Sequence, residues 1–207
     1  MTEAEARAWV RDRFGVSRET LLARYAELLR AESQRQNLIA ASTFETIWAR
    51  HLVDSAQLVP LAADAPRGAW IDVGSGAGLP GIVVAAIVER TVVLVEPRAR
   101  RADFLRQAAG ALGFAARVTV QESRIESYRP LNRAAVISAR AVAALPQLLS
   151  STAHCTDSST IWLLPKGRNA QSEVEAAEAK WQGLFHVEPS ITQPESGIVV
   201  AQGVRPK

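Results

Sequence analysis

Cysteine occurs once in 207 residues, at Cys155. One cysteine excludes an internal disulfide and suits a reducing cytosol. No apolar run approaches the roughly 18 residues that a membrane span needs. The opening stretch, MTEAEARAWVRDRF, is charged and helical in pattern and has no apolar core of signal-peptide type. A cytoplasmic protein without membrane contact is therefore expected. Lysine is scarce too: Lys166, Lys180 and Lys207 stand against 21 arginines. The three histidines, His51, His154 and His186, are scattered and have no paired cysteines, so no metal site is expected. No obvious catalytic triad, internal repeat or low-complexity tract is present.

What is present is unevenly charged. The chain carries +3 in total, but Glu89 to Arg140 holds ten arginines and five acids. The first 66 residues hold eight arginines and nine acids, close to balance. A local arginine excess fits a phosphate-bearing partner, and equally a solvated basic face.

Length suits one domain with an extension. Residues 1–66 read as a helical extension. Ala6, Trp9, Val10 and Phe14 recur at helical spacing, as do Leu21, Leu22, Tyr25, Leu28 and Leu29. Ser17 and Thr20 offer N-caps for the second run. After the polar break ESQRQN, Thr43–Val59 reads as another helix, opening near Ser42 and Thr43.

Residues 67–207 change pattern. Short apolar runs at Trp70–Val73, Val92–Val95, Arg117–Gln121, Ala135–Ser138 and Ile161–Pro165 predict strands. Between them Gly81–Val88, Arg98–Leu112, Val142–Ala153 and Ala170–Gly183 predict helices. This alternation implies an α/β fold with a mostly parallel sheet. His186–Ile191 and Ile198–Gln202 predict an antiparallel pair closing one edge.

The stretch WIDVGSGAGLPGIVVAAI (70–87) places four glycines between a strand and a helix. In open α/β sheets ligands bind at that end of the strands. Gly74, Gly76 and Gly78 leave the backbone open to a ligand, and Pro80 suits the first helical turn. A dinucleotide turn, G-x-G-x-x-G, fails from Gly74 because residue 79 is Leu79. It fits only from Gly76, with Pro80 inside the phosphate turn. The spacing Asp72, Gly74, Gly76, Gly78 fits better. An acid at the strand end suits a cationic cofactor such as S-adenosylmethionine and would repel a pyrophosphate. Glu96 ends the second strand, 22 residues after Gly74, where a carboxylate reaches ribose hydroxyls in either reading. A nicotinamide-dependent oxidoreductase stays the alternative at this point.

Six segments together carry a more specific likeness: RQNLIA (35–40), RHLVDS (50–55), DVGSGAGLPG (72–81), SRIE (123–126), SARAVAAL (138–145) and LLPKG (163–167). In this order they resemble the bacterial 16S rRNA guanine-N7 methyltransferase family, RsmG, also called glucose-inhibited division protein B. The resemblance covers roughly residues 20–200. It implies a Rossmann-like class I methyltransferase core with a seven-stranded sheet. It implies methyl transfer from S-adenosyl-L-methionine to N7 of one guanine of 16S rRNA, position 527 in conventional rRNA numbering. The partner implied is the small ribosomal subunit, met by a monomer in the cytoplasm.

By the same resemblance Gly74 and Leu79 belong to the cofactor turn. Ile125 and Glu126 lie beside the adenine, and Arg140 belongs to the cofactor site. Asn37, His51, Asp54 and Ser55 lie near the cofactor mouth, and Asn37, His51 and Arg140 are the candidates for a catalytic role. Arg100, Arg101, Arg124 and Lys166 are expected to face RNA. Two departures stand out. The run ESGIVV lacks the basic residue that many relatives carry before the last strand, and PRARR follows Glu96 where a lysine is common. An arginine there is not equivalent to a lysine.

Overall fold

The apolar runs in the middle of the chain lie side by side as parallel strands. The computed structural model describes residues 1–207. In it β1 (Trp70–Val73) lies between β2 (Val92–Val95) and β4 (Val136–Ala139). β3 (Val118–Gln121) flanks β2, and β5 (Ile161–Lys166) flanks β4. β7 (Gly197–Pro206) runs antiparallel to β5, and β6 (Trp181–Pro189) forms the outer edge. The sheet order is β3-β2-β1-β4-β5-β7-β6. The order reverses between β1 and β4, so a crevice opens at their carboxyl ends. The loops starting at Gly74 and Arg140 leave the sheet there.

Why the central strands read as mostly apolar runs is plain from their burial on both faces; the exceptions, Asp72 and Ser138, bond to each other. Alternate side chains enter two cores. Trp70, Val92, Leu94 and Val136 pack under the extension, α5 (Gly81–Ile87) and α6 (Ala99–Ala111). Ile71, Val73, Val93 and Ile137 pack under α7 (Leu145–Thr152) and α8 (Ala170–Glu178). The first core runs without interruption into Leu22, Tyr25 and Leu29 of the extension.

The extension begins with α1 (Glu3–Phe14), closed at its start by a reciprocal capping box between Thr2 and Glu5. α2 (Val16–Ser33) follows directly after Gly15, whose φ of +88° reverses the chain. Ser17 and Thr20 therefore lie inside α2 and do not cap it; Thr20 Oγ1 donates to the Val16 carbonyl. Buried Glu19 accepts from Arg7 at 3.1 Å and Arg11 at 2.7 Å, which locks α1 onto α2.

The expected helix Thr43–Val59 is instead a series of short pieces. A 3₁₀ turn (Ala41–Thr46) leads into a π-helical turn (Trp48–Val53), then α3 (Asp54–Ala56) and α4 (Leu58–Leu61). Its opening amides are satisfied from outside. Glu3 accepts from the Trp48 and Ala49 N–H groups at 3.0 and 2.9 Å. Wide π turns are frequent at functional sites, and this one carries His51. Two further boundaries differ. α7 begins at Leu145, because Ala141 has φ +56° and Pro146 occupies the first turn. α8 stops at Glu178, since buried Trp181 already pairs with Pro206 as the start of β6.

Candidate functional site

The glycine turn is built from below by two carboxylates. Asp72 has no exposed surface. Its Oδ1 accepts from Ser138 Oγ at 2.7 Å and its Oδ2 from the Gly81 N–H at 3.2 Å. Burial raises its pKa to about 6. Asp72, expected to face a cationic cofactor, is enclosed and bonded, and it holds the start of α5. Glu96, 3% exposed, bridges the Gly76 and Arg98 N–H groups, both at 2.9 Å. It ties the turn to the end of β2. From above, the buried Tyr25 hydroxyl of α2 donates to the Ala77 carbonyl; burial raises its pKa, so it stays protonated.

The glycines do not all serve the same end. A Cβ at Gly81 would lie 2.2 Å from Leu94 Cδ2, and one at Gly78 would lie 2.6 Å from Ile82 Cγ1. These two are glycine because protein atoms crowd them. At Gly76, with φ +55°, the nearest atoms are 3.6 Å away. There the positive φ, not crowding, calls for glycine; Gly76 is buried, and Gly74 is the turn residue that lines a cavity. Leu79 is buried in the core beside Ile82 and Val83.

Two cavities flank the turn. The smaller, about 190 Å³, lies between Gly74, Pro97, Ile125, Glu126 and Leu148. Buried Ile125 and exposed Glu126 thus share one pocket, with Arg124 at its edge. The larger, about 740 Å³, gathers His51, Asp54, Arg140, Lys166 and Glu173 with the loop from Ser190 to Gly197. Val142 and Ala143 line both, so the loop after β4 divides them.

Arg140 sits at the centre of the larger cavity. Its Nη1 lies 3.1 Å from Asp54 Oδ2 and its Nη2 lies 3.4 Å from His51 Nδ1. Thr43 Oγ1 donates to the Ala40 carbonyl at 2.7 Å, so it accepts from His51 Nε2–H at 2.9 Å. That fixes the tautomer and leaves Nδ1 to accept from Arg140. Burial, then Arg140 and Arg50, lower the His51 pKa to about 4, so the ring is neutral at pH 7. Asp54 Oδ1 accepts in turn from Gln57 Nε2 and Thr192 Oγ1, at 3.0 and 3.1 Å. Ser55 lies buried beneath, its hydroxyl given to the His51 carbonyl.

The residues expected to face RNA divide. Arg124 is exposed and has no ion pair. Arg100 is exposed but donates to the Arg35 carbonyl at 2.9 Å, and Arg101 reaches the Asn37 carbonyl at 3.4 Å. Both fasten the loop after α2. Asn37 itself is exposed beside Leu38, which lines the larger cavity. Lys166 departs most from expectation. Its side chain is 10% exposed, and its Nζ donates to the Ala143 carbonyl at 2.7 Å and pairs with Glu173 at 2.8 Å. The ammonium points into the protein because two oxygens hold it there. Glu173, Val142 and Gln193 escaped the sequence reading; only the positive φ of Ala141 marks their neighbourhood, and a sequence does not show it. His154 and His186 lie elsewhere, against the Tyr128 carbonyl and Glu188.

The comparisons with known proteins agree with one another. The family described as rRNA small subunit methyltransferase G matches residues 18–197. The ribosomal RNA small subunit methyltransferase G of Rhizorhabdus wittichii is 51% identical, across 100% of this chain and 95% of that protein. The one from Sphingopyxis alaskensis is 49% identical, across 99% and 88%. Among solved structures, an O-methyltransferase from Bacillus cereus in complex with S-adenosylhomocysteine superposes with a TM-score of 0.62 at 11% identity, covering 94% of this chain and 96% of that one. That likeness shows the class I methyltransferase fold, with its seven-stranded, mostly parallel sheet. On its match over most of the chain, and on full-length relatives near half identity, this chain belongs to the rRNA small subunit methyltransferase G family.

Proposed function

We propose that this protein transfers a methyl group from S-adenosyl-L-methionine to N7 of one guanine in the 16S rRNA of the small ribosomal subunit. The guanine is the one conventionally numbered 527. The observation that carries the reading is the glycine turn at the end of β1, with one cavity against Gly74 and a second beyond the loop at Val142 and Ala143. The smaller is lined by Val73, Val95, Ile125 and Leu148, which suits a flat adenine. The larger bears the guanidinium groups of Arg50 and Arg140 beside Asp54, which suits a base carried on a polyanion. Glu96, at the end of β2, has acceptor capacity beyond its two backbone bonds for ribose hydroxyls. Leu79 supports the turn, Glu126 closes the adenine side, and Arg140 with Asp54 forms the wall nearest the amino-acid end.

When bound, S-adenosylmethionine supplies an electrophilic sulfonium methyl group. The residues here have little proton chemistry to perform. Guanine N7 has an in-plane lone pair and no proton to lose, so no general base is needed. His51 is neutral and already bonded through both ring nitrogens, which makes it a part of the wall. The protein's contribution is alignment and exclusion of water. Arg124, and the guanidinium donors of Arg100 and Arg101 left free by the loop, face the RNA backbone. The target base must leave its stack to reach the cavity. In this reading the protein acts on the small subunit as a monomer in the cytoplasm.

The test uses small subunits that lack the modification. After incubation with labelled S-adenosylmethionine, the nucleosides are separated and weighed by mass spectrometry. Label in 7-methylguanosine supports the reading. Label in another nucleoside, or cofactor binding without any transfer to subunits or free RNA, overturns it.

A further inference from the structure

The segment from Arg140 to Leu145 crosses between the two cavities and is held from outside at several points. Arg140 is held by Asp54 and His51. Ala141 has φ +56°, a left-handed conformation that a non-glycine residue keeps only when its surroundings impose it. Val142 rests on the glycine turn: a Cβ at Gly74 would come 2.7 Å from its Cγ2. Lys166 Nζ holds the Ala143 carbonyl at 2.7 Å. Glu173 Oε2 accepts from Lys166 at 2.8 Å and from the Leu145 N–H at 2.7 Å. Ala144 precedes α7 and has no side chain with which to cap it. Glu173 supplies the acceptor that this helix start would otherwise lack.

We propose that Lys166 and Glu173 are positioning residues that set this segment between the two cavities, so that Lys166 governs cofactor binding and not RNA binding. Val142 and Ala143 line both cavities and Val142 packs against Gly74, so the shape of both depends on where this loop stands. The Lys166–Glu173 pair fixes the backbone on either side of Ala144. An ammonium with two of its three protons committed inside the protein has little left for a phosphate. The proposal rests on the cofactor reading given above.

The experiment measures the dissociation constant for S-adenosylhomocysteine by calorimetry and the KM for unmodified small subunits. It compares the wild type with Lys166→Met, Glu173→Gln, the double variant and Lys166→Arg. Loss of a charge-assisted hydrogen bond predicts a rise on the order of tenfold in the dissociation constant for Lys166→Met. The subunit KM, at saturating cofactor, stays within about twofold. Glu173→Gln shifts the same constant, and the double variant is no worse than Lys166→Met, as coupled partners require. Lys166→Arg keeps the ion pair and restores most of the affinity, which guards against Lys166→Met failing to fold. A raised subunit KM with unchanged cofactor affinity overturns the proposal, as does additivity of the two single variants. A wild type that binds no S-adenosylhomocysteine overturns the cofactor reading itself. A wild type that binds it, with variants that do so equally well, overturns the positioning role alone.

Discussion

Arg140 and Asp54, 86 residues apart in the chain, meet at 3.1 Å in the larger cavity. One belongs to the loop after β4 and the other to the extension, so the ion pair fastens the two parts of the chain where they form a common wall. Both side chains are mostly shielded, 20% and 14% exposed. Removing one partner therefore strands the other in a poorly solvated place. Arg140→Ala is expected to weaken cofactor binding on the order of tenfold or more. Asp54→Ala, which frees the guanidinium, acts in the same direction, and Asp54→Asn acts more mildly because the amide oxygen still accepts. Calorimetric titration with S-adenosylhomocysteine measures all three. An unchanged dissociation constant in Arg140→Ala removes its place in the cofactor site.

His51 makes stability depend on pH with a definite sign. Its folded pKa is about 4 against an ordinary 6.5. Between those values the unfolded chain binds the extra proton, so the contribution of His51 is complete above pH 6.5 and is lost as pH falls toward 4. Asp72 runs the opposite way. Raised from 3.8 to about 6, it favours the folded state most below pH 3.8, and that contribution is lost as pH rises through 6. The two are separated by His51→Gln. The wild type should lose its advantage in Tm over this variant as pH drops from 6.5 to about 4. Parallel Tm profiles over that range would contradict the assignment.

The glycines divide into packing and access. Gly81→Ala places a Cβ 2.2 Å from Leu94 Cδ2 and 2.7 Å from Asp72 Oδ2. Overpacking of this kind costs about 1–3 kcal/mol of stability. Gly76→Ala meets nothing closer than 3.6 Å and bears only the left-handed backbone cost, about 1–2 kcal/mol. Urea denaturation should show a loss for both, with that of Gly81→Ala reaching the higher value. Gly74→Ala would press on Val142 Cγ2 at 2.7 Å beside the smaller cavity, so its effect should fall on cofactor affinity as well. If Gly74→Ala binds cofactor as the wild type does, the turn is not where the ligand lies.

Much of this architecture is legible in the residues. Val92–Val95 is buried on both faces and apolar throughout, and Val136–Ala139 is so apart from Ser138, whose hydroxyl is bonded to Asp72. The edge is harder to read. β6 exposes most of one face and carries Gly183 at an irregularity in its pairing, so WQG reads as the tail of a helix. The stretch around His51 misleads for another reason. Its opening amides are capped by Glu3, 45 and 46 positions earlier. The glycine turn and Glu96 announce themselves through spacing after strands, and Arg140 through the family resemblance. The orientation of Lys166 does not, because the carbonyl it holds, at Ala143, lies 23 residues away. The backbone contacts of Arg100 and Arg101 are hidden likewise, since Arg35 and Asn37 become their neighbours only after folding.

The central claim is that one guanine N7 in small-subunit RNA is the methyl acceptor. The most direct test maps the product. Small subunits lacking the modification are incubated with the protein and S-adenosylmethionine. Their 16S rRNA is then cleaved chemically at 7-methylguanine, and the break is located by primer extension. The account predicts one new, cofactor-dependent break, absent with Arg140→Ala at limiting cofactor. Breaks scattered over many guanines, or none despite transfer of label to the RNA, would contradict it.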